Sequence, residues 1–315
     1  MSINFCTYFD KNYLSKFLVL KNSIEMFNIE FTFFVLALDN YVEDFFKKNK
    51  IKNIQVISLK DLEQSNKDLI VAKNNRNLIE YYFTLSPFLP LYIHKKFNIF
   101  QVSYLDSDFY FFKNPNKYIN QNLDSSVVLI KQISNPIYGS YNVGWILFNF
   151  NHQETKEIVK QWCTQCLNSC YDVPNRKKKL YADQKYLDEW PRQLKKIKIL
   201  YPEYTCLSPW DKNNAIEESI QSMISFHFHG LEIHDNYFVS GFSKYNKKMS
   251  KKIMKNIYTP YLLQLFAIDK KYNLRSFSIR NTSREVLIKI RLLKSKIKQI
   301  VFNDFHLIAK IKNLP

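Results

Sequence analysis

The sequence predicts an α/β fold, a mostly parallel central sheet with helices on both faces. Two observations carry that reading. Short β-type runs alternate with helical-period segments through the first half of the chain, and one strand-like run ends directly on an Asp-Ser-Asp triplet. A third is composition. The 315 residues are 46% hydrophobic and 16% aromatic with only 4 glycines, which excludes disordered, collagen-like and linker-type chains.

The elements follow in order. Residues 3–8 are a β-type run, Asp10 to Asn12 a loop, and 14–26 has helical spacing. Residues 30–38 (EFTFFVLAL) form a buried-strand pattern closed by Asp39-Asn40. Residues 42–48 are helical and 53–58 form a third strand. The aromatic stretch 75–93 has helical period and is interrupted by Pro87 and Pro90. Residues 99–105 are a strand leading into Asp106-Ser107-Asp108, and in open α/β sheets ligands bind beyond such strand ends. Residues 127–131 and 145–149 are further strands, 175–179 (NRKKK) a charged loop, and 224–228 a last strand before His229-Gly230.

The net charge of +18 is unevenly spread. Residues 1–243 carry +3 and residues 244–315 carry +15. The expected organisation is therefore a near-neutral domain over 1–243 and a basic, mostly helical extension over 244–315. Within the extension, Val286, Ile290, Leu293, Ile297 and Ile300 share one helical face, with Arg291, Lys294, Lys298 and Gln299 opposite or flanking. A basic amphipathic helix suits an anionic membrane surface, and the alternative is a helix packed on the domain with a solvated basic side. The tail carries no nucleic-acid motif, so no nucleic-acid partner is expected.

No apolar run is long enough to span a bilayer and no secretory signal pattern is present, which points to a cytoplasmic protein peripheral at the inner membrane face. Five cysteines fit a reducing compartment. Cys163, Cys166 and Cys170 have the spacing of one helix face and are read as core rather than as a metal site.

Four patterns carry chemistry. Asp106 and Asp108 at a strand end can share a divalent cation, hard oxygen ligands suiting Mg²⁺ or Mn²⁺. His227 and His229 flank the end of a strand just before Gly230. Asp183 and Gln184 suit a sugar, one accepting and the other both accepting and donating, with a helix cap as the plain alternative for Asp183. Gly144, in YNVGWILFN, is a scarce glycine that suggests close backbone or ligand approach.

These patterns, in this order over about 225 residues, resemble the GT-A fold nucleotide-sugar glycosyltransferases, especially glycosyltransferase family 8. Tyr104 to Asp108 looks like the family's Y-x-D-x-D, and Tyr141 to Asn149 resembles its F-N-x-G-hydrophobic-N segment. Ala182-Asp183-Gln184 is similar to its D-Q motif, and His227 to Gly230 resembles its H-F-x-G. The resemblance implies a metal held by Asp106, Asp108 and His227. It implies nucleotide-sugar contacts from Thr7, Tyr8, Asp10, Asn12, Arg76, Asp106, Ser107, Asn142 and Gly144. Asp183 and Gln184 become the candidate catalytic pair. The implied reaction is transfer, with retention, from a UDP-sugar type of donor to a hydroxyl of a glycan or lipid-linked acceptor, as in surface polysaccharide assembly. Two departures stand out: Leu231-Glu232-Ile233-His234 replaces the family's diphosphate-binding Lys, and Thr84-Leu85-Ser86 occupies the region of its helix Arg. Diphosphate neutralisation then falls to Arg76, Lys212 or Lys244. The rivals are a metal-dependent phosphohydrolase, disfavoured by Phe109 and Tyr110 after the triplet, and a non-catalytic membrane-surface protein on a degenerate GT-A scaffold.

Overall fold

Thirteen strands organise the described chain in a computed structural model covering residues 2–133, 135–274 and 286–308, the side chains of 286–293 excepted. They are β1 (Ile3–Phe9), β2 (Phe31–Ala37), β3 (Ile54–Ser58), β4 (Gln101–Leu105), β5 (Phe109–Phe111), β6 (Val127–Lys131), β7 (Tyr141–Asn149), β8 (Ile197–Leu200), β9 (Cys206–Leu207), β10 (Ser225–His227), β11 (Glu232–Ile233), β12 (Tyr237–Val239) and β13 (His306–Leu307). The chain divides into two units. The first comprises 1–11, 27–107 and 114–202; the second comprises 12–26, 108–113 and 203 onward.

The first unit is built on a seven-stranded sheet in the order β3-β2-β1-β4-β7-β6-β8. Four of its six pairings are parallel, and β7 runs antiparallel to both neighbours. That reversal brings the start of β7 beside the end of β4, with Leu105 opposite Trp145. Local chemistry sets the helix starts. Asp39 accepts from Val42 N at 2.9 Å, Ser58 caps the helix after β3, and Asn77 and Glu80 form a reciprocal capping box. The aromatic stretch breaks once, at Ser86-Pro87, into helices Leu78–Leu85 and Phe88–Phe97. Pro90 does not interrupt the second helix because it lies in its first turn, where the missing N–H has no intrahelical partner to lose. The strand β8 is an element that the sequence pattern did not reveal.

The core of the first unit includes Phe148, Trp162 and Trp190, with the two indoles edge-to-face at 5.3 Å. Cys163 and Cys166 lie buried in helix Gln153–Asn168, and Cys170 is buried just beyond its end. All five cysteines are unpaired and buried, as core residues are expected to be.

The second unit is assembled from pieces far apart in sequence. Helix Leu14–Glu25 packs with β5 and with helix Thr259–Tyr272. Residues 224–228 do not extend the main sheet. Instead β10 pairs antiparallel with β5, formed directly after the Asp-Ser-Asp triplet, and parallel with β9. A small third sheet joins β11, β12 and β13. The rings of Phe228 and Tyr261 stack at 3.8 Å in this unit's core.

Left-handed backbone is handled mainly by asparagine. Asn28, Asn53, Asn98, Asn246, Asn273 and Asn303 have positive φ, as does Lys50 at the end of helix Asn40–Asn49. Glycine does the same at Gly139, Gly230 and Gly241.

Candidate active site

The Asp-Ser-Asp triplet lies at the carboxyl end of β4, and the two units divide inside it: Ser107 closes a segment of the first and Asp108 opens one of the second. Each unit contributes its own polar cluster.

In the first unit, the Asp106 amide donates to Gly144 O at 2.9 Å, and Gly144 N in turn donates to Asn142 Oδ1 at 2.8 Å. The scarce glycine and its asparagine thus fix the backbone of the triplet, a consequence of the reversed β7. Tyr104 donates its hydroxyl to Asp106 Oδ1 at 2.9 Å, and its ring lies 5.9 Å from that of Tyr8. Tyr8 and Ser86 share a hydrogen bond of 3.0 Å. Asp183 is buried against this group. Burial pushes its carboxyl up to about 7, a hydrogen bond from Ser86 opposes the shift, and the nearby charge of Asp106 adds to it. The side chain of Asp183 makes no capping hydrogen bond, so the plain alternative of a helix cap does not hold. Burial, then the charges of Asp183 and Asp106, raise the Tyr8 phenol; for Tyr104 burial is again the first cause and Asp106 the next.

Other expected site residues of this unit are placed as follows. Thr7 is fully buried, and its Oγ1 has no hydrogen-bond partner among the described residues. Asp10 lies just beyond β1. Together with Asp39 it supports the rise of the Tyr82 hydroxyl to about 12, which burial chiefly causes. Ser107 is buried. Gln184 donates to Tyr138 O at 2.8 Å and packs against Gly139, so its amide is engaged with that turn. Arg76 is not brought to the triplet's cluster. Its guanidinium donates to Thr84 Oγ1 and to the carbonyls of Cys166 and Leu167, closing the end of helix Gln153–Asn168. A cation at a helix C-terminus offsets the dipole there, which is a structural role.

In the second unit, His227 Nε2 lies 3.0 Å from Asp108 Oδ1 and the His227 ring stacks on Phe109. Burial alone would raise the Asp108 carboxyl. The His227 charge and hydrogen bond outweigh it, helped by Lys16 and His229, and hold it well below the usual carboxylate range. His229 is lowered to about 3 by burial, with His227 and Lys244 adding to the shift. Trp210 meets both imidazoles, with centroids at 5.4 and 5.6 Å.

Two lysines face this cluster. Lys16 is nearly buried, donates to Leu231 O at 2.9 Å, and sits 4.3 Å over the Tyr13 ring. Lys244 pairs with Glu232 at 3.3 Å and lies across Gly230, where a Cβ would meet its Nζ at 3.0 Å. The turn that allows this depends on Gly241, where an added Cβ would approach His229 O to 2.4 Å. Lys244 thus sits beside the H-F-x-G segment that lacks its following lysine. Lys212 precedes helix Asn213–Ser219, and Asn12 falls in the single turn Lys11–Tyr13. Sequence reasoning missed Lys16, Ser86 and Trp210. Helix spacing assigns Lys16 no role, and nothing local to Ser86 or Trp210 marks them.

Asp108 and His227 are neighbours within one unit, and Asp106 is tied to Asp108 through one residue. Among the described residues, one ligand atom from each of Asp106, Asp108 and His227 lies within 4.8 Å of the others. Two carboxylates and an imidazole suit a divalent cation.

The architecture defines the class: a GT-A type fold. Three solved glycosyltransferases share it, each at 13% identity. Mouse xyloside xylosyltransferase 1 matches with a TM-score of 0.50 at 13% identity, covering 73% of this chain and 98% of that one. The bifunctional glycosyltransferase WbbM gives 0.51 at 13%, covering 73% and 46%. GlyE of Streptococcus pneumoniae TIGR4 gives 0.51 at 13%, covering 87% and 63%. By sequence, the chain is similar to two uncharacterized Bacillus subtilis (strain 168) proteins. YfnD is 24% identical over 281 residues, covering 84% of this chain and 89% of its own length; YfnF is 24% identical over 258 residues, covering 74% and 83%. No protein-family model matches the chain.

Proposed function

We propose that the protein is a divalent-metal-dependent glycosyltransferase that moves a sugar from a nucleotide diphosphate donor, of the UDP-sugar type, to a hydroxyl of a glycan or lipid-linked acceptor. The observation that carries this reading is the Asp106, Asp108 and His227 group at the strand end of a GT-A fold. Those three side chains would hold Mn²⁺ or Mg²⁺, which when bound offsets the charge of the departing diphosphate. Lys244 is the cation we assign to the diphosphate in place of the family's missing lysine, and Arg76 is left to its helix end. Thr7, Tyr8, Asp10 and Asn12 contact the nucleotide. Asn142, Asp183 and Gln184 orient the donor sugar, which fixes the reacting geometry.

A carboxyl raised to about 7 is partly protonated near neutrality. That suits Asp183 to hydrogen bonds with sugar hydroxyls better than to nucleophilic attack. We therefore favour transfer with retention by front-face attack, the leaving phosphate oxygen taking the acceptor's proton. The test is a thermal-shift screen of nucleotide-sugars with and without Mn²⁺, followed by turnover of any that stabilise the protein. Metal-dependent stabilisation by a UDP-sugar supports the reading. Asp106→Asn and Asp108→Asn variants that keep metal-dependent transfer would sink the metal assignment.

We also propose that residues 244–315 attach the protein to an anionic membrane face. No helix among the described residues is long and apolar enough to cross a membrane. In helix Val286–Val301, Ile297, Ile300 and Val301 are exposed while Gln299 is buried, so part of the expected apolar stripe faces solvent beside Lys294 and Lys296. Residues 275–285 and the side chains of Val286, Ile290 and Leu293 lie outside the described residues. Deleting the tail is a poor test, because Asp304 accepts from the amides of Ser240 and Ser243 and its loss would disturb the second unit. Ile297→Asp with Ile300→Asp should abolish binding to phosphatidylglycerol vesicles while leaving Tm unchanged. Undiminished vesicle binding would overturn the attachment.

A further inference from the structure

The opposite end of the main sheet from the triplet carries a cavity. It is lined by the starts of β1 and β4 and the end of β7, including Ser2, Asn4, Gln101 and Asn149. Ser103, its lining residue on β4 nearest the triplet, stands three residues before Asp106, roughly 10 Å at strand rise. Its volume is about 330 Å³, at the small end of ligand sites and enough for roughly one or two sugar rings.

Its lining is chemically distinctive. The chain is 23% charged, yet none of the sixteen lining residues is ionisable. Six carry amides: Asn4, Gln101, Asn120, Asn122, Asn149 and Asn151. An amide presents a donor and an acceptor side by side, which matches a pair of neighbouring hydroxyls. An ionic ligand would leave its charge unanswered here, and a purely apolar one would strip water from the amides without replacing it. The amides are also held in place. Asn122 donates to Tyr118 O at 2.6 Å, Asn149 to Leu123 O at 2.7 Å, and Asn151 to Asn149 Oδ1 at 3.0 Å. Phe100 on the same lining is 37% exposed, a ring available to the C–H face of a pyranose.

We infer that this cavity binds a neutral saccharide, separately from the donor site. The inference stands on the lining alone and holds whether or not the proposed transfer occurs. Where transfer to a polymer occurs, a second hold on the glycan raises the effective concentration of its reacting end.

The test titrates the full chain with neutral trisaccharides of glucose, galactose, mannose and N-acetylglucosamine, followed by saturation-transfer NMR and calorimetry. At least one should saturate at millimolar concentration, and its binding should persist with UDP and Mn²⁺ present. Phe100→Ala and Asn120→Asp should each weaken it by roughly tenfold with Tm retained. Asn120 is exposed, so that change keeps the fold as its own control. Failure of all four sugars to bind, displacement by UDP and Mn²⁺, equal binding in the folded variants, or equal affinity for a uronic-acid trisaccharide would each overturn the inference.

Discussion

The polar cluster of the first unit is acidic and hydroxylic, whereas that of the second is imidazole- and lysine-rich. Tyr8, Ser86, Tyr104, Asp106 and Asp183 make the former. Asp108, His227, His229, Lys16 and Lys244 make the latter. Under the proposed function the contrast is a division of labour. Hydroxyls and a carboxyl raised to about 7 would suit a sugar, cations would suit a diphosphate, and the Asp-Ser-Asp triplet supplies one carboxylate to each cluster.

The largest expected effect tests the second cluster. His227→Ala or Asp108→Asn should lower turnover by at least about 100-fold, the range for losing a group that stabilises developing charge. Mn²⁺ binding by calorimetry should weaken in parallel. Metal binding at full strength would break the assignment of charge handling to that side.

Next comes the backbone that carries Lys244. Gly241→Ala places a Cβ against the His229 carbonyl at a left-handed φ of 92°, and should cost about 2–4 kcal/mol in urea unfolding. Wild-type stability would mean that the turn over Gly230 is more yielding than drawn.

Lys244→Ala and Asp183→Asn then separate the clusters directly. The first should weaken UDP itself by roughly tenfold, the size of one partly exposed charge-assisted contact. The second should leave UDP binding unchanged and lower turnover. Equal effects of both on UDP would erase the comparison.

A smaller effect concerns pH. Burial lifts the Asp211 carboxyl to about 7, above its ordinary value of 3.8. The folded state therefore binds a proton more tightly, and this group's contribution falls as pH rises from about 4 to about 7. Asp211→Asn keeps an acceptor for Ser208 N without the charge. The variant should gain on wild type across that window, by on the order of 1–3 kcal/mol at pH 7. A pH-independent difference in Tm would contradict the burial argument.

The first unit was far more legible in sequence than the second, for a physical reason. β1, β2 and β4 are five to seven residues long and apolar enough to declare themselves, and the triplet follows β4 without a gap. In the second unit β5, β9 and β10 have two or three residues, too few for a period to register. Their partners are set by tertiary pairing, so the pattern of residues 224–228 shows a strand but not the strands it pairs with. Lys244 reaches the histidine cluster through a turn that only its glycines permit, and no spacing announces it. Arg76, a lone arginine near the right helix, also donates to the carbonyls of Cys166 and Leu167, a long-range pairing that no local pattern shows.

The asparagine-for-glycine economy at left-handed positions has an engineering consequence. A chain with 4 glycines keeps its unfolded ensemble comparatively stiff, but it accepts strain at several helix exits. Lys50 ends its helix at a φ of 45°, a conformation that disfavours a β-carbon by roughly 1–2 kcal/mol. Lys50→Gly, far from either polar cluster along the chain, therefore offers thermostability headroom that can be drawn on before any catalytic residue is altered.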